Sequence, residues 1–232
     1  MKILAIDTST RAGSVALLED ETAVAELQVS SSETHAKRLM TVIDGTLDLA
    51  GLGLEALDAF AVTRGPGSFT GLRIGISAVK GFAFATGKPV AGVSTLDALA
   101  HPFSWFPGLI CPLLDARKGE VYAALYRGGA RGSLEKVVSD CAVRPKDWLE
   151  GLEGACLFVG DGAVAYGAMI EEVVGRRATF APFYLQAPRA SVVGALGLEQ
   201  IKRGETCDAS ALVPLYIRKS DAEIKLSQGK LG

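Results

Sequence analysis

Histidine is the scarcest chemically versatile residue in this chain of 232 residues, which holds two, His35 and His101. They stand in different segments, so neither a multi-histidine metal site nor a Ser/His/Asp or Cys/His relay can be assembled around them. His35, at a helix start, reads as a polar surface or capping residue, and His101 as structural. Cysteine is nearly as sparse: Cys111, Cys141, Cys156 and Cys207 lie far apart with no CxxC pair. That reads as reduced structural thiols of a cytosolic protein rather than a disulfide framework. An excess of basic charge is missing too, since 24 Lys and Arg face 26 Asp and Glu. No global positive field draws in nucleic acid, and any RNA contact must use a local patch or a partner's surface. No uncharged apolar run reaches transmembrane length. The opening "MKILAIDTST" meets Asp7 too early for a signal peptide, so a cytoplasmic location is expected. The turn "GPGSFTGLR" has no lysine to complete a phosphate-binding P-loop.

What is present is apolar material: 49% hydrophobic against 22% charged residues, enough for one large core or two small ones. "KILAID" (2–7), "GSVALLED" (13–20) and "TAVAELQVS" (22–30) read as strands. From Thr34 the period changes: Leu39, Ile43, Leu47 and Ala50 share a helical face, with Gly51 as the stop. A strand (58–63), a helix (70–86, capped by Ser68 or Thr70), a strand (88–93) and a helix opened by Ser94 and Asp97 in a capping-box spacing follow. The proline- and aromatic-rich "HPFSWFPG" (101–108) marks a boundary.

Beyond it the plan recurs. "LICPLLDARKGEVYAALYRG" repeats "KILAIDTSTRAGSVALLED" with a shorter turn. A third strand (about 134–142), a helix from Pro145, a strand "CLFVG" and a helix from Ala163 follow. "VGDGAVAYG" (159–167) reads as a tight strand-to-helix turn rather than a nucleotide loop. A further helix lies near 190–203, and the tail from Pro214 becomes polar and is expected to fray. Two similar α/β halves, 1–102 and 103–232, are predicted, with the helix near 190–203 packing back on the first.

Asp7 ends the first parallel strand, where open α/β sheets place their ligands; it serves either as a carboxylate near a metal–phosphate or as a turn former. A two-metal nuclease of the same strand order needs a second carboxylate at the end of the fourth strand. That end reads Val62-Thr63-Arg64, and Asp58 lies at the other end, about 15 Å away. The nuclease reading fails on geometry. Helix 70–86 carries only Arg73 and Lys80, seven apart on one face. Gly71, Gly75 and Ala78 form a small-residue stripe beside the apolar Leu72, Ile76, Val79 and Ala83. Interior helical glycines cost about 0.8–1 kcal/mol each relative to alanine, which points to close approach by another backbone, from this chain or from a second molecule.

The segments "ILAIDTST…SVAL", "ETHAKRLM", "TRGPGSFTGLRIG", "VSTLDALA", "LLDARKGEVY" and "PLYIR" together resemble the TsaB family, also called YeaZ, over essentially the whole chain. "GPGSFTGLRIG" and "DARKGEVY" are the most specific of them. The resemblance implies an α/β fold of two tandem actin-like ATPase (RNase H-like, βββαβα) subdomains, the second degenerate. It also implies a non-catalytic subunit that binds and activates the catalytic TsaD, joined by the ATPase TsaE. That assembly places a threonylcarbamoyl group on the adenosine beside the anticodon of tRNAs reading codons that begin with A. TsaD carries two metal-binding histidines four apart; the matching positions here are Thr95 and Leu99, so no metal site is expected. Arg117 and Lys118 bring bulk and charge where backbone amides would meet phosphate. Asp7, Thr8 and Ser9 would then line a vestigial nucleotide cleft, with no cofactor in the isolated chain and ATP acting only in the complex. The alternative is a stand-alone enzyme of this fold, a weak ATPase or protease-like.

With the family's strand order 3-2-1-4-5, right-handed crossovers put helices 34–50 and 70–86 side by side on one face. Leu39, Met40 and Ile43 on the first, with Gly71, Ile74, Gly75 and Ala78 on the second, are expected to form the surface that meets TsaD. The same patch would serve a homodimer of the isolated chain. A tryptophan at Gly75 is expected to block that contact without unfolding the protein.

Overall fold

The computed structural model describes residues 1–218 apart from 32, 130 and 131. The tail expected to fray lies from 219 onward outside the described residues. The first half contains β1 (Lys2–Asp7), β2 (Ala12–Glu19), β3 (Thr22–Ser30), α1 (His35–Ala50), β4 (Ala59–Gly65), α2 (Phe69–Thr86), β5 (Val90–Ser94) and α3 (Thr95–Ala100). Its sheet runs β3-β2-β1-β4-β5. The two hairpin connections make β1, β2 and β3 antiparallel, while β4 and β5 join parallel to β1. β1 is buried from Ile3 to Asp7 because it is central and covered on both faces.

Alternation along the strands sorts the core into two layers. Leu4, Ile6, Val15, Leu17, Phe60 and Val62 face α1 and α2, meeting Leu39, Ile43, Ile76 and Val79. The opposite face is built of smaller residues, among them Ala5, Ala16, Ala59, Ala61 and Ala91. Against it lies α7 (Ala190–Lys202), which presents Gly197 to Ala61 so closely that an added Cβ would sit 2.6 Å from the alanine methyl. α1 stops where the pattern predicts, at Gly51 in the left-handed conformation (φ +65°).

The second half contains β6 (Leu109–Arg117), β7 (Glu120–Gly128), β8 (Leu134–Val143), α4 (Pro145–Glu150), β9 (Cys156–Val159), α5 (Asp161–Ala165), α6 (Gly167–Val174) and β10 (Ala178–Phe180). The sheet order β8-β7-β6-β9-β10 reproduces the first. Its helices do not: α4 has 6 residues where α1 has 16. The helix expected from Ala163 instead starts at Asp161 and breaks at Tyr166, whose φ of −108° and ψ of 19° are not helical. Four cysteines are free thiols, and burial pushes the Cys111 thiol far above its ordinary value. Among the described residues no helix is long and apolar enough to cross a membrane.

Besides the packing of α7 on the first sheet and of α3 on the second core, two further features join the halves. Lys136 of β8 bridges Asp97 (2.6 Å) and Asp140 (2.7 Å), Tyr126 donates to Asp97 (2.6 Å), and Ser94 donates to Asp140 (2.8 Å). Asp97 is thereby turned toward the second sheet, although Ser94 does cap α3 as the spacing predicted. After α7 the chain runs back as a strap over residues 205–218. It pairs with β5 at Val90, buries Leu212 in the first core, bonds Arg64 O from Leu215 N and ends beside the β6–β7 hairpin, where Arg218 meets Glu120. Arg73 and Lys80, the two charges of α2, both hold this strap, through Tyr216 Oη (2.8 Å) and Ser210 O (3.3 Å).

Candidate functional site

A cleft of about 870 Å³ opens between the halves. It lies at the carboxyl ends of β1 and β6, where such sheets place ligands. Ser9, Thr10 and Arg11 from the β1–β2 turn, the N-termini of α1 and α2, and the β6–β7 hairpin with Asp115, Arg117 and Lys118 line it. The first turn is held from α1. His35 Nε2–H donates to Thr10 O (2.7 Å), which leaves Nδ1 to accept from Arg38 (3.2 Å), and Arg38 also donates to Arg11 O (2.8 Å) and Ser31 Oγ (2.6 Å). His35 is thus a clamp on the cleft wall rather than a surface or capping residue.

Asp7 is not in this cleft. It is wholly buried, and its Oδ1 accepts from Ser9 N (3.1 Å), Ser9 Oγ (2.6 Å) and Thr63 Oγ1 (2.7 Å). Its Oδ2 is buried with no partner in the protein. Burial raises the carboxyl above its ordinary value, outweighing the hydroxyls of Ser9 and Thr63. Thr8 is buried too, its hydroxyl donating to Gly71 O (2.8 Å). Of the three residues expected to line a nucleotide cleft, Ser9 alone reaches its edge; Asp7 and Thr8 are packing elements of the β1–β4–α2 junction.

The nucleotide and metal that the actin-like fold implies do not fit these residues. No carboxylate at the β1 end is exposed to carry a cation. Six amides at the two strand ends are engaged: Ser9 N by Asp7, Ser68 N by Ser9 O, Gly71 N by Ser68 Oγ, Asp115 N by Asp161, Arg117 N by Asp115 and Gly160 N by Gln186. In "VGDGAVAYG" Gly160, at φ +107°, is the one residue between β9 and α5. Asp161 accepts from Asp115 N (3.0 Å) and so ties the start of α5 to the hairpin from an exposed position. Thr95 and Leu99 are both buried, so the positions matching the histidine pair face the core. Among the described residues no group of three His, Cys, Asp or Glu side chains is arranged to hold a metal ion.

The hairpin turn breaks a local rule. Arg117 (φ +63°) and Lys118 (φ +56°) occupy the left-handed region next to Gly119, at about 1–2 kcal/mol for each non-glycine residue. A two-residue turn of this hand favours Asn-Gly. Arg117 is 84% exposed and bonded to Asp115 (3.2 Å), so its packing does not account for the choice.

The expected partner surface divides. Leu39 (6% exposed) and Ile43 (1%) belong to the chain's own core. Gly71 and Gly75 are buried against β1: a Cβ on Gly71 would lie 2.0 Å from Thr8 O, and one on Gly75 2.4 Å from Thr8 Oγ1. The close approach inferred from the glycine stripe is real, but the other backbone is this chain's β1. Tryptophan at Gly75 would therefore break the fold rather than test an interface. Met40 is half exposed, and Ile74 and Ala78 are partly exposed on the outer side of α1 and α2. Phe84, which no residue pattern singled out, is 90% exposed near the end of α2.

Comparison with known proteins places this arrangement. The family model described as TsaD, tRNA N6-adenosine threonylcarbamoyltransferase, matches residues 29–226. The Bacillus subtilis protein named tRNA threonylcarbamoyladenosine biosynthesis protein TsaB is 38% identical, covering 97% of both chains. The Escherichia coli protein of the same name is 32% identical over 97% of this chain and 98% of that one. The structure of YeaZ from Pseudomonas aeruginosa superposes with a TM-score of 0.79 at 33% identity, covering 93% of this chain and 99% of the other. With two tandem actin-like halves and full-length similarity of this kind, the chain belongs to the TsaB (YeaZ) family.

Proposed function

We propose that this chain is a non-catalytic subunit in the biosynthesis of threonylcarbamoyladenosine on tRNA. It acts by binding and activating the catalytic TsaD, with TsaE joining and tRNA engaged through the complex. The names of the TsaB relatives support the pathway. The observation that carries the non-catalytic reading is the burial of Asp7 beneath Ser9 and Thr63, with the Ser9 amide and both hydroxyls turned onto its carboxylate. A stand-alone ATPase would need that carboxylate within reach of a bound nucleotide.

The first half, 1–102, carries the partner face, and 103–232 is the degenerate subdomain. α1 and α2 lie on the sheet face opposite α7, and α2 shows Ile74, Ala78, Ala85 and the exposed Phe84 on its outer side. Met40 of α1 extends this face. An exposed phenylalanine of this kind is a candidate anchor for a helix pair of similar shape; in the isolated chain a second copy fills the same role. Loss of the protein is expected to remove threonylcarbamoyladenosine from tRNA, read by mass spectrometry of nucleosides from depleted cells. Re-expression of the wild type restores it, while Phe84→Asp, at a position too exposed to unfold the chain, does not restore it and does not co-purify with TsaD. Unchanged modification on depletion would overturn the assignment, and full co-purification of Phe84→Asp would move the partner face. Isolated protein is expected to hydrolyse ATP at background rate, unaltered by Asp7→Asn.

A further inference from the structure

The cleft gathers five cationic side chains, Arg11, Arg73, Arg117, Lys118 and Arg218, against Glu33, Asp115 and Asp161 on its lining and Glu120 beside Arg218. This local excess of positive charge stands on a chain whose net charge is −2. The cations come from four separate places: the β1–β2 turn, α2, the β6–β7 hairpin and the strap. Arg117 and Lys118 are held there at a backbone conformation that their residue types disfavour.

We infer that the rim of this cleft binds the phosphodiester backbone of an RNA strand, through side-chain cations and without a divalent metal. The inference rests on the reading of the chain as a subunit acting on tRNA. Two observations favour an extended polyanion over a compact nucleotide. A triphosphate needs converging backbone amides or a metal-bearing carboxylate; here Ser9 N, Gly71 N, Asp115 N, Arg117 N and Gly160 N are bonded within the chain, and Asp7 is sealed. Long cations spread around an open rim instead match charges repeated along a chain. Phe69, partly exposed and backed by Tyr216 (4.7 Å between ring centroids), also lines the cleft, and an aromatic ring beside a cationic track is how single strands are commonly held. Arg218 ties the strap to Glu120 at the same rim (3.1 Å), so this cation is held in place by the β6–β7 hairpin.

The test is fluorescence anisotropy of a labelled single-stranded oligoribonucleotide, titrated with the full chain across a series of salt concentrations. The variant is Arg117→Asn/Lys118→Asn, which gives the turn residues tolerant of its left-handed backbone, so a melting temperature equal to or above wild type is expected. RNA affinity should fall on the order of tenfold, and the slope of log affinity against log salt should flatten by roughly 1.4 for two lost single-strand phosphate contacts. Arg11→Ala should lower affinity in the same direction, and Mg·ATP in excess should leave the RNA bound. Wild-type affinity and slope in the folded double variant would overturn the inference, as would displacement of the RNA by Mg·ATP. Neither outcome bears on whether depletion removes the modified nucleoside, so failure here is separable from failure of the proposed function.

Discussion

The hydroxyl oxygen of Thr8 lies 2.4 Å from the point where a Cβ on Gly75 would stand. The contact explains a glycine in the interior of an 18-residue helix. β1 and α2 meet so closely that Thr8 Oγ1 can donate to Gly71 O (2.8 Å) across the junction, and any side chain at Gly75 would push them apart.

Gly75→Ala is therefore expected to destabilise the protein. The helix gains about 1 kcal/mol of intrinsic preference, but overpacking at a rigid junction costs about 1–3 kcal/mol. Thr8→Ala removes the obstructing hydroxyl, so the two substitutions should couple: the double variant loses less stability than the sum of the singles. Urea unfolding of the four proteins measures this, and simple additivity would show that the contact is not the reason for the glycine.

Lys136 is the cation that lets Asp97 and Asp140 approach across the junction of the halves. Its side chain is 31% exposed, and burial alone would lower its pKa, but hydrogen bonds to the two carboxylates raise it. Lys136→Met leaves the carboxylates facing each other and should cost about 1–3 kcal/mol. Adding Asp97→Asn and Asp140→Asn should recover part of it. Calorimetric unfolding distinguishes the two, and no recovery would mean the loss is one of packing.

Two carboxyls give opposite pH signatures. Burial would raise Glu26, but Arg189 (2.6 Å) and Ser191 N (3.0 Å) outweigh it and hold the group below its ordinary value. A depressed carboxyl contributes stability above its unfolded pKa, about 4.3, and loses it as pH falls through the folded value. Glu26→Gln should lower the melting temperature at pH 7 and have less to lose in acid. Asp7 is raised, so its contribution is favourable while it is protonated and is lost as pH climbs from its unfolded value through its folded one. Asp7→Asn should accordingly raise the melting temperature at neutral pH. A lower one would mean that the ionised carboxylate is needed by the fold.

Strand and helix order, the capped ends at Ser68, Ser94 and Gly51, and the repetition of one plan in two halves were legible from residue order alone. Each is set by local chemistry: alternation, helical period and the conformations that serine and glycine accept at helix ends.

Direction was not legible. α2 is apolar nearly all round, so its period does not say which stripe meets β1, and only packing turned Gly71 and Gly75 inward and left Phe84 in solvent. Asp7 lies at the strand end its position predicts, yet its exposure depends on Ser9, Thr63 and the approach of α2 from as much as 60 residues away. The strap is a sharper case. Residues 205–218 show little periodicity, and their place over α2 and beside the hairpin rests on Leu212, Tyr216 and Arg218 finding partners in both halves. Contacts between residues distant in the chain arise only when the sheets have stacked, and so the cleft and its cationic rim belong to the tertiary structure.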